Sequence, residues 1–189
     1  MRITGGDFRG RRIRPPRSRA VRPTMDRMRE SVFAILGDIR GCSFLDLFSG
    51  TGVVAAEAAS RGAAAVVAVE RNRANRALIE RNVAFAADQV AVRIQACEAF
   101  VRRSARRQRW DYIFVDPPFA YRHVPELLSA IADGDLLAPT GRLLLHVPTP
   151  TSAPALMAAA SPLVVVDQRR FGGSTLYQFA LEEPRVGLA

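Results

Sequence analysis

Residues 46–58 read DLFSGTGVVAAEA, and the chain changes character twice within them. The apolar run leading in, Phe44–Phe48, is short enough for a strand buried on both faces. Gly50 and Gly52 follow as a turn. Val53–Arg61 is then rich in alanine and stops at Gly62, the composition and end signal of a helix. Strand, glycine turn and helix make the opening unit of a parallel α/β sheet.

Downstream, the unit recurs. Ala65–Glu70 predicts a second strand and residues 72–86 a second helix. Val90–Ile94 predicts a third strand, with a helix after it through Arg106. Tyr112–Asp116 is the fourth strand, Val124–Ala132 a helix and Arg142–Val147 the fifth strand. Leu163–Phe171 and Thr175–Leu181 flank a Gly-Gly-Ser turn and read as an antiparallel hairpin. Near-continuous apolar strands alternating with helices imply a mostly parallel sheet covered on both faces. The expected fold is therefore α/β, Rossmann-like, with seven strands and a C-terminal antiparallel pair.

Upstream, Met25, Met28, Val32, Ile35 and Leu36 lie at helical spacing, with Thr24 placed to cap a helix and Gly37 to end it. Arg2–Arg14 (RITGGDFRGRRIR) alternates Ile3, Phe8 and Ile13 with glycine turn signals, which predicts a small β-hairpin. Three regions are expected: an arginine-rich hairpin and helix over 1–37, a catalytic α/β domain over 38–183 and a tail over 184–189.

Composition narrows the chemistry. Of 189 residues 49% are hydrophobic, enough for a sizeable core. The longest apolar stretches, such as Ala63–Val69, are too short to span a bilayer, and the basic N-terminus is followed by no signal-like apolar run. A cytoplasmic protein is expected. Cys42 and Cys97 suggest no disulfide framework, and with two histidines no metal site is expected. All 27 basic residues are arginine. The absence of lysine rules out a Schiff-base lysine and a Walker P-loop. Residues 1–30 hold ten arginines against Asp7, Asp26 and Glu30, +7 of the formal +9. Such a patch is an electrostatic footprint for phosphate backbones, with Arg9, Arg11, Arg12 and Arg14 as candidate contacts.

Two ligands compete for the first glycine loop. Gly50, Gly52 and Ala55 satisfy G-x-G-x-x-A, and Glu70 follows twenty residues after Gly50, which is also a dinucleotide fingerprint. In either reading the glycines admit a ligand close to the backbone, and a carboxylate after the second strand accepts from ribose hydroxyls. Asp46, just before the loop, would repel a pyrophosphate but suits a cationic, phosphate-free ligand. No second unit of a size to hold a dehydrogenase substrate is evident. These features favour S-adenosylmethionine over NAD.

FVDPPFAYR, residues 114–122, ends the fourth strand at the same edge of the sheet. An exocyclic amine on a nucleobase is a poor nucleophile because its lone pair is delocalised into the ring. Acceptors on each N–H, the Asp116 carboxylate and the Pro117 carbonyl, would orient that nitrogen and favour the charge developing on it. Pro117 and Pro118 stiffen the segment, and Phe119 offers a face for a base to stack on.

The series DLFSGTG, VE and DPPF resembles the class I methyltransferases that modify exocyclic amines. RITGGDFRGRRI, RPTMDRMRESVF, LDLFSGTG…EAASRGA and FVDPPF together are similar to the RsmD family, over Arg2 to about Leu181. The DPPF motif alone is shared with DNA adenine methyltransferases, whereas the N-terminal signatures are more specific. The resemblance implies an S-adenosylmethionine-dependent enzyme of class I fold that methylates N2 of one guanine, conventionally position 966, of 16S ribosomal RNA. The small size of the chain suggests reliance on a preformed ribosomal surface, so the expected substrate is met within the small subunit or an assembly intermediate. By the same resemblance Asp46, Ser49, Gly50, Thr51 and Gly52 would line the methionine side of the cofactor, Glu70 its ribose and the Cys97 backbone its adenine. Asp116, Pro117, Pro118 and Phe119 would form the target-base site, and Arg22, Thr24 and Arg29 would face the RNA or shape that site.

Two positions depart from the family pattern. The Asp or Asn common after the third strand is Ala96 here, with Glu98 as a candidate substitute, and the glutamate often ending the fifth strand is His146, to which no role is given. Rival classes are a DNA adenine-N6 methyltransferase, an NAD oxidoreductase and an RNA-binding assembly protein without catalysis.

Overall fold

The computed structural model describes residues 1–16, 26–149, 151, 156, 158 and 160–182. Seven strands form one sheet in the order β3-β2-β1-β4-β5-β7-β6. They are β1 (Ser43–Leu47), β2 (Ala65–Glu70), β3 (Val90–Ile94), β4 (Trp110–Val115), β5 (Leu137–Pro148), β6 (Leu163–Phe171) and β7 (Ser174–Leu181). The first five pair in parallel, and β7 lies antiparallel to both β5 and β6. The order reverses at β1 and β4, so the crevice outside their carboxyl ends is where an α/β sheet takes its ligand.

Side chains alternate across the strands and build two cores. On one face α1 (Asp26–Leu36), α2 (Val53–Ser60) and α3 (Arg76–Val83) cover Phe44, Val66, Ala68, Phe114 and Leu144. On the other, α4 (Cys97–Ser104) and α5 (Val124–Asp133) cover Leu45, Leu47, Ile113, Val115 and Leu145. Every residue of α2 is buried, which accounts for its run of alanines: small side chains let the helix sit close against its neighbours. No helix among the described residues is long and apolar enough to cross a membrane.

The N-terminal segment is a hairpin joined by an Arg2–Arg12 bridge, with Ile3 and Ile13 buried in the first core. Its polar backbone is docked on α2. Asp7 N donates to Ser60 O (2.8 Å), Phe8 N to Ser60 Oγ (3.0 Å), and Ser60 Oγ to Gly5 O (2.7 Å). Gly6 lies at φ +78°, and a Cβ there would stand 1.8 Å from Ser60 O. The close approach therefore requires glycine.

Some boundaries differ from the sequence reading. The helix expected over 72–86 is broken: a 3-10 turn at Arg73–Asn75, opened by Asn72 Oδ1 accepting from Ala74 N, precedes α3, and another at Ala84–Ala86 follows it. β5 starts five residues earlier than expected, with a register shift against β4 between Trp110 and Tyr112. Thr24 and Met25, expected to open α1, lie outside the described residues, as do Arg22 and the 184–189 tail.

Candidate active site

The loop after β1 reverses the chain through three positive-φ residues, Phe48 (62°), Gly50 (59°) and Gly52 (75°). A Cβ on Gly52 would meet Ile79 Cγ2 at 2.9 Å, so α3 sits where only glycine leaves room. Positive φ at an aromatic residue costs on the order of 1–3 kcal/mol and persists where the surroundings enforce it. Here Ser49 N donates to Val69 O (2.9 Å), Gly52 N to Ser49 O (2.9 Å) and Gly50 N to Glu70 Oε2 (2.9 Å). Asn82 of α3 donates to Thr51 O (2.9 Å) and to Arg14 O (3.1 Å), tying the loop to the end of the basic hairpin.

Asp46 is buried, with Oδ2 accepting from Ser49 Oγ (2.5 Å) and from the backbone N–H of Ala55 (3.2 Å). Ala55 is the third residue of α2, so Asp46 satisfies one of the donors that a pyrophosphate would use at that helix end. Burial pushes the Asp46 carboxyl up to about 7, against the pull of those two donors, and the charges of Asp116 and Glu70 push the same way. Three acids thus share one electrostatic neighbourhood, a setting for a cation.

Glu70, at the end of β2, is partly exposed, and its Oε1 accepts from Asn72 N (2.7 Å). Its two oxygens retain lone pairs for ribose hydroxyls. Cys97 opens α4, and its N-cap Ala96 makes no side-chain cap bond. The first N–H groups of α4 therefore meet no side-chain cap, and an adenine ring nitrogen is a suitable acceptor for one. Burial pushes the Cys97 thiol up, which suits a packing role. Glu98, the candidate substitute for the missing acid at Ala96, is engaged at one oxygen within the chain. Its Oε1 accepts from Tyr121 OH (2.6 Å), and the Tyr121 ring stands edge-on to Phe48 at 5.0 Å. These residues fit S-adenosylmethionine: an acid for the ribose, backbone donors for adenine, and a glycine loop over a buried carboxyl for the cationic end.

Across the crevice, Asp116 follows β4, with its N–H directed to Leu47 O of β1 (3.4 Å). Pro117 is buried and Pro118 exposed, and Tyr121 N donates to Pro118 O (2.8 Å), closing a turn that holds the segment rigid. Phe119 is 45% exposed and, with Val166, one of two exposed large hydrophobics among the described residues. An aromatic face presented to solvent beside a carboxylate is a platform for a planar ring.

The predicted residues thus fall into groups. Asp46, Ser49, Gly50, Thr51, Gly52, Glu70 and Cys97 meet at one rim of the crevice, and Asp116–Phe119 form the other. Arg9, Arg11, Arg12 and Arg14 are exposed along the hairpin, the Arg11 guanidinium lying 4.7 Å from the Phe85 ring centroid. Arg29 is a correction: it is fully buried, its Nη2 donating to Arg2 O (2.6 Å) and its Nε lying 3.9 Å from Glu57 Oε2. It braces the hairpin against α1 and α2 and does not face nucleic acid. His146 is a second departure, because its Nδ1 lies 2.8 Å from Asp116 Oδ1. The reading of the sequence also passed over Glu57 and Asn82. A glutamate amid the alanines of α2 was the available signal for the first.

A Rossmann-like, S-adenosylmethionine-dependent methyltransferase is the class that this sheet and crevice define. Within it, the chain belongs to the family described as "Conserved hypothetical protein 95", whose model matches residues 1–180. It is 34% identical over 140 residues to "Ribosomal RNA small subunit methyltransferase D" of Escherichia coli (strain K12), 73% of this chain and 70% of that protein. The solved structure of yhhF from Escherichia coli matches 97% of this chain and 99% of its own at a TM-score of 0.82 and 27% identity. The hypothetical protein TTHA0928 of Thermus thermophilus matches 96% and 99% at 0.81 and 28% identity.

Proposed function

We propose that this protein methylates the exocyclic N2 of one guanine in 16S ribosomal RNA, at the 966-type position, within the small ribosomal subunit or an assembly intermediate. The observation that carries the reading is the placement of Asp116 beside the exposed Phe119 ring, across one crevice from the glycine loop and Glu70. The curated relative's name points to the same substrate class.

When bound, S-adenosylmethionine would supply an electrophilic methyl group, with the methyl–sulfur bond breaking as the bond to nitrogen forms and neutral S-adenosylhomocysteine as the leaving group. Everything else is work for the chain. Phe119 stacks the base after it leaves its helix. Asp116 accepts from the amine, and the rigid Pro117 carbonyl serves as a second acceptor, so the nitrogen lone pair is turned toward the cofactor rim. As the N–C bond forms, the nitrogen becomes positive and its N–H bonds to these acceptors strengthen, which lowers the barrier selectively. The nitrogen then loses one proton, for which Asp116 is the adjacent acceptor on the way to water. The exposed arginines of the hairpin hold phosphates, and Asn82 fixes the hairpin's end beside the glycine loop.

The test uses methyl-labelled S-adenosylmethionine with small subunits from cells lacking this protein, with naked ribosomal RNA and DNA in parallel. Label in N2-methylguanosine from the subunits is expected. Label in methyladenine from DNA would overturn the substrate while keeping the fold and cofactor.

A further inference from the structure

β4 and β5 run side by side in parallel, with Val115 opposite Leu145. One residue further along each strand, the chain places Asp116 and His146, and the pair closes at 2.8 Å between Asp116 Oδ1 and His146 Nδ1. His146 is held in two other ways. Its backbone pairs with Leu176 of β7, and its ring stands edge-on to Phe119 at a centroid distance of 6.3 Å. The His146 and Asp116 side chains are 13% and 22% exposed, so the contact is sheltered but opens onto the crevice.

The other ring nitrogen carries equal information. His146 Nε2 is buried and has no hydrogen-bond partner among the described residues. A buried donor without an acceptor is costly, as is a lone pair aimed at a carboxylate. Both costs are avoided in one arrangement, with the proton on Nδ1 donated to Asp116 and a bare lone pair at Nε2.

We propose that His146 is a positioning residue for methyl transfer: its Nδ1–H grips Asp116 Oδ1 and stops the carboxylate from turning about its terminal bond. The proposal rests on the reading of Asp116 as the acceptor for the target amine. The Nδ1–H engages a lone pair on one of the two carboxylate oxygens and so fixes the orientation of the group. A carboxylate turned away from the amine loses the alignment on which transfer depends, because small misplacements of reacting groups cost large factors in rate. The same imidazole buttresses Phe119, so one side chain sets both the acceptor and the stacking surface.

Three measurements test this. His146→Leu removes the donor while filling the space, and single-turnover transfer to small subunits should slow about 10- to 100-fold, with S-adenosylmethionine affinity by calorimetry within about twofold of wild type. His146→Asn keeps an N–H donor near the place of Nδ1 and should recover the rate to within about fivefold. Wild-type speed in His146→Leu overturns the proposal, as does His146→Asn being as slow as His146→Leu at matched melting temperature. The third readout needs neither a foldable variant nor a known substrate: with His123 and His146 the only histidines, ring-nitrogen NMR of the wild-type protein assigns the tautomer. A proton on His146 Nδ1 supports the grip, and a bare Nδ1 overturns it. Failure of the wild type to methylate any subunit would instead strike the proposed substrate and leave this readout standing.

Discussion

Glu57 and Asp116 are both carboxylates that meet a partner distant in the chain, and their surroundings otherwise differ in every respect that matters. Glu57, on α2, is fully buried and accepts three hydrogen bonds: Thr4 N and Thr4 Oγ1 donate to it at 2.8 and 2.7 Å and Arg61 Nε at 3.0 Å, with Arg29 Nε 3.9 Å away. Asp116 is partly exposed, gripped at one oxygen by an imidazole, and bordered by an aromatic ring turned to solvent. A buried carboxylate that takes donors from separate segments of the chain holds structure together. A carboxylate that is oriented yet open toward a crevice retains capacity for a ligand. In this chain the buried acid crowded by donors is the structural one, and the acid proposed to act on the substrate is the one at the crevice beside an exposed ring.

The comparison is most easily broken at Asp116. Asp116→Ala should reduce methyl transfer by about three orders of magnitude or more, as loss of a group that stabilises developing charge does, with cofactor affinity within about twofold. Near-normal transfer would remove Asp116 from the mechanism. Glu57→Ala should act on stability instead, lowering it by about 3–5 kcal/mol in urea unfolding, because it removes a buried charged group that Thr4 and Arg61 donate to. A loss below about 1 kcal/mol would mean the Glu57 cluster adds little to the apolar contacts and Ser60 bonds that dock the hairpin. Phe119→Ala sharpens the contrast further. Stacking of a base on an aromatic ring contributes about 1–3 kcal/mol, so kcat/KM for the RNA substrate should fall roughly 10- to 100-fold with little change in stability.

Asp46 gives the smallest effect, and it is one of pH. Folding raises its carboxyl from 3.8 to about 7, so between those values the folded chain binds more protons than the unfolded one. Its contribution is fully present below about pH 4 and is lost as pH rises toward about 7. Asp46→Asn should therefore flatten the stability profile of the cofactor-free protein across that window and raise stability at about pH 8 by about 1–2 kcal/mol. An unchanged slope would show that the buried carboxyl ionises without cost.

Much of this was legible in the chain because it is local. The strand–glycine–helix rhythm, the hairpin turn at Gly172–Gly173 and the glycine loop each declare themselves within a short stretch of chain. β2, β3 and β6 lie where the apolar runs put them. The cofactor rim was legible for the same reason, since Asp46 to Gly52 lie in one loop and Glu70 at the end of the next strand. Arg29 was misread because its residue type and its arginine-rich neighbourhood both suggest solvent, while its buried environment comes from Glu57 and the Arg2 carbonyl. His146 was passed over because a histidine in an apolar strand has no local signature of its partner.

The sequence by itself determined the elements, their alternation and the two motifs at the sheet's carboxyl edge, since periodicity, turn chemistry and proline stiffness act over a few residues. Only the tertiary structure decided which charged groups became struts and which stayed open. Those partners are far apart in the chain, Thr4 from Glu57, Arg14 from Asn82 and Asp116 from His146. Their meeting depends on strand order and register, which set the distances at which burial and hydrogen bonding give each charge its role.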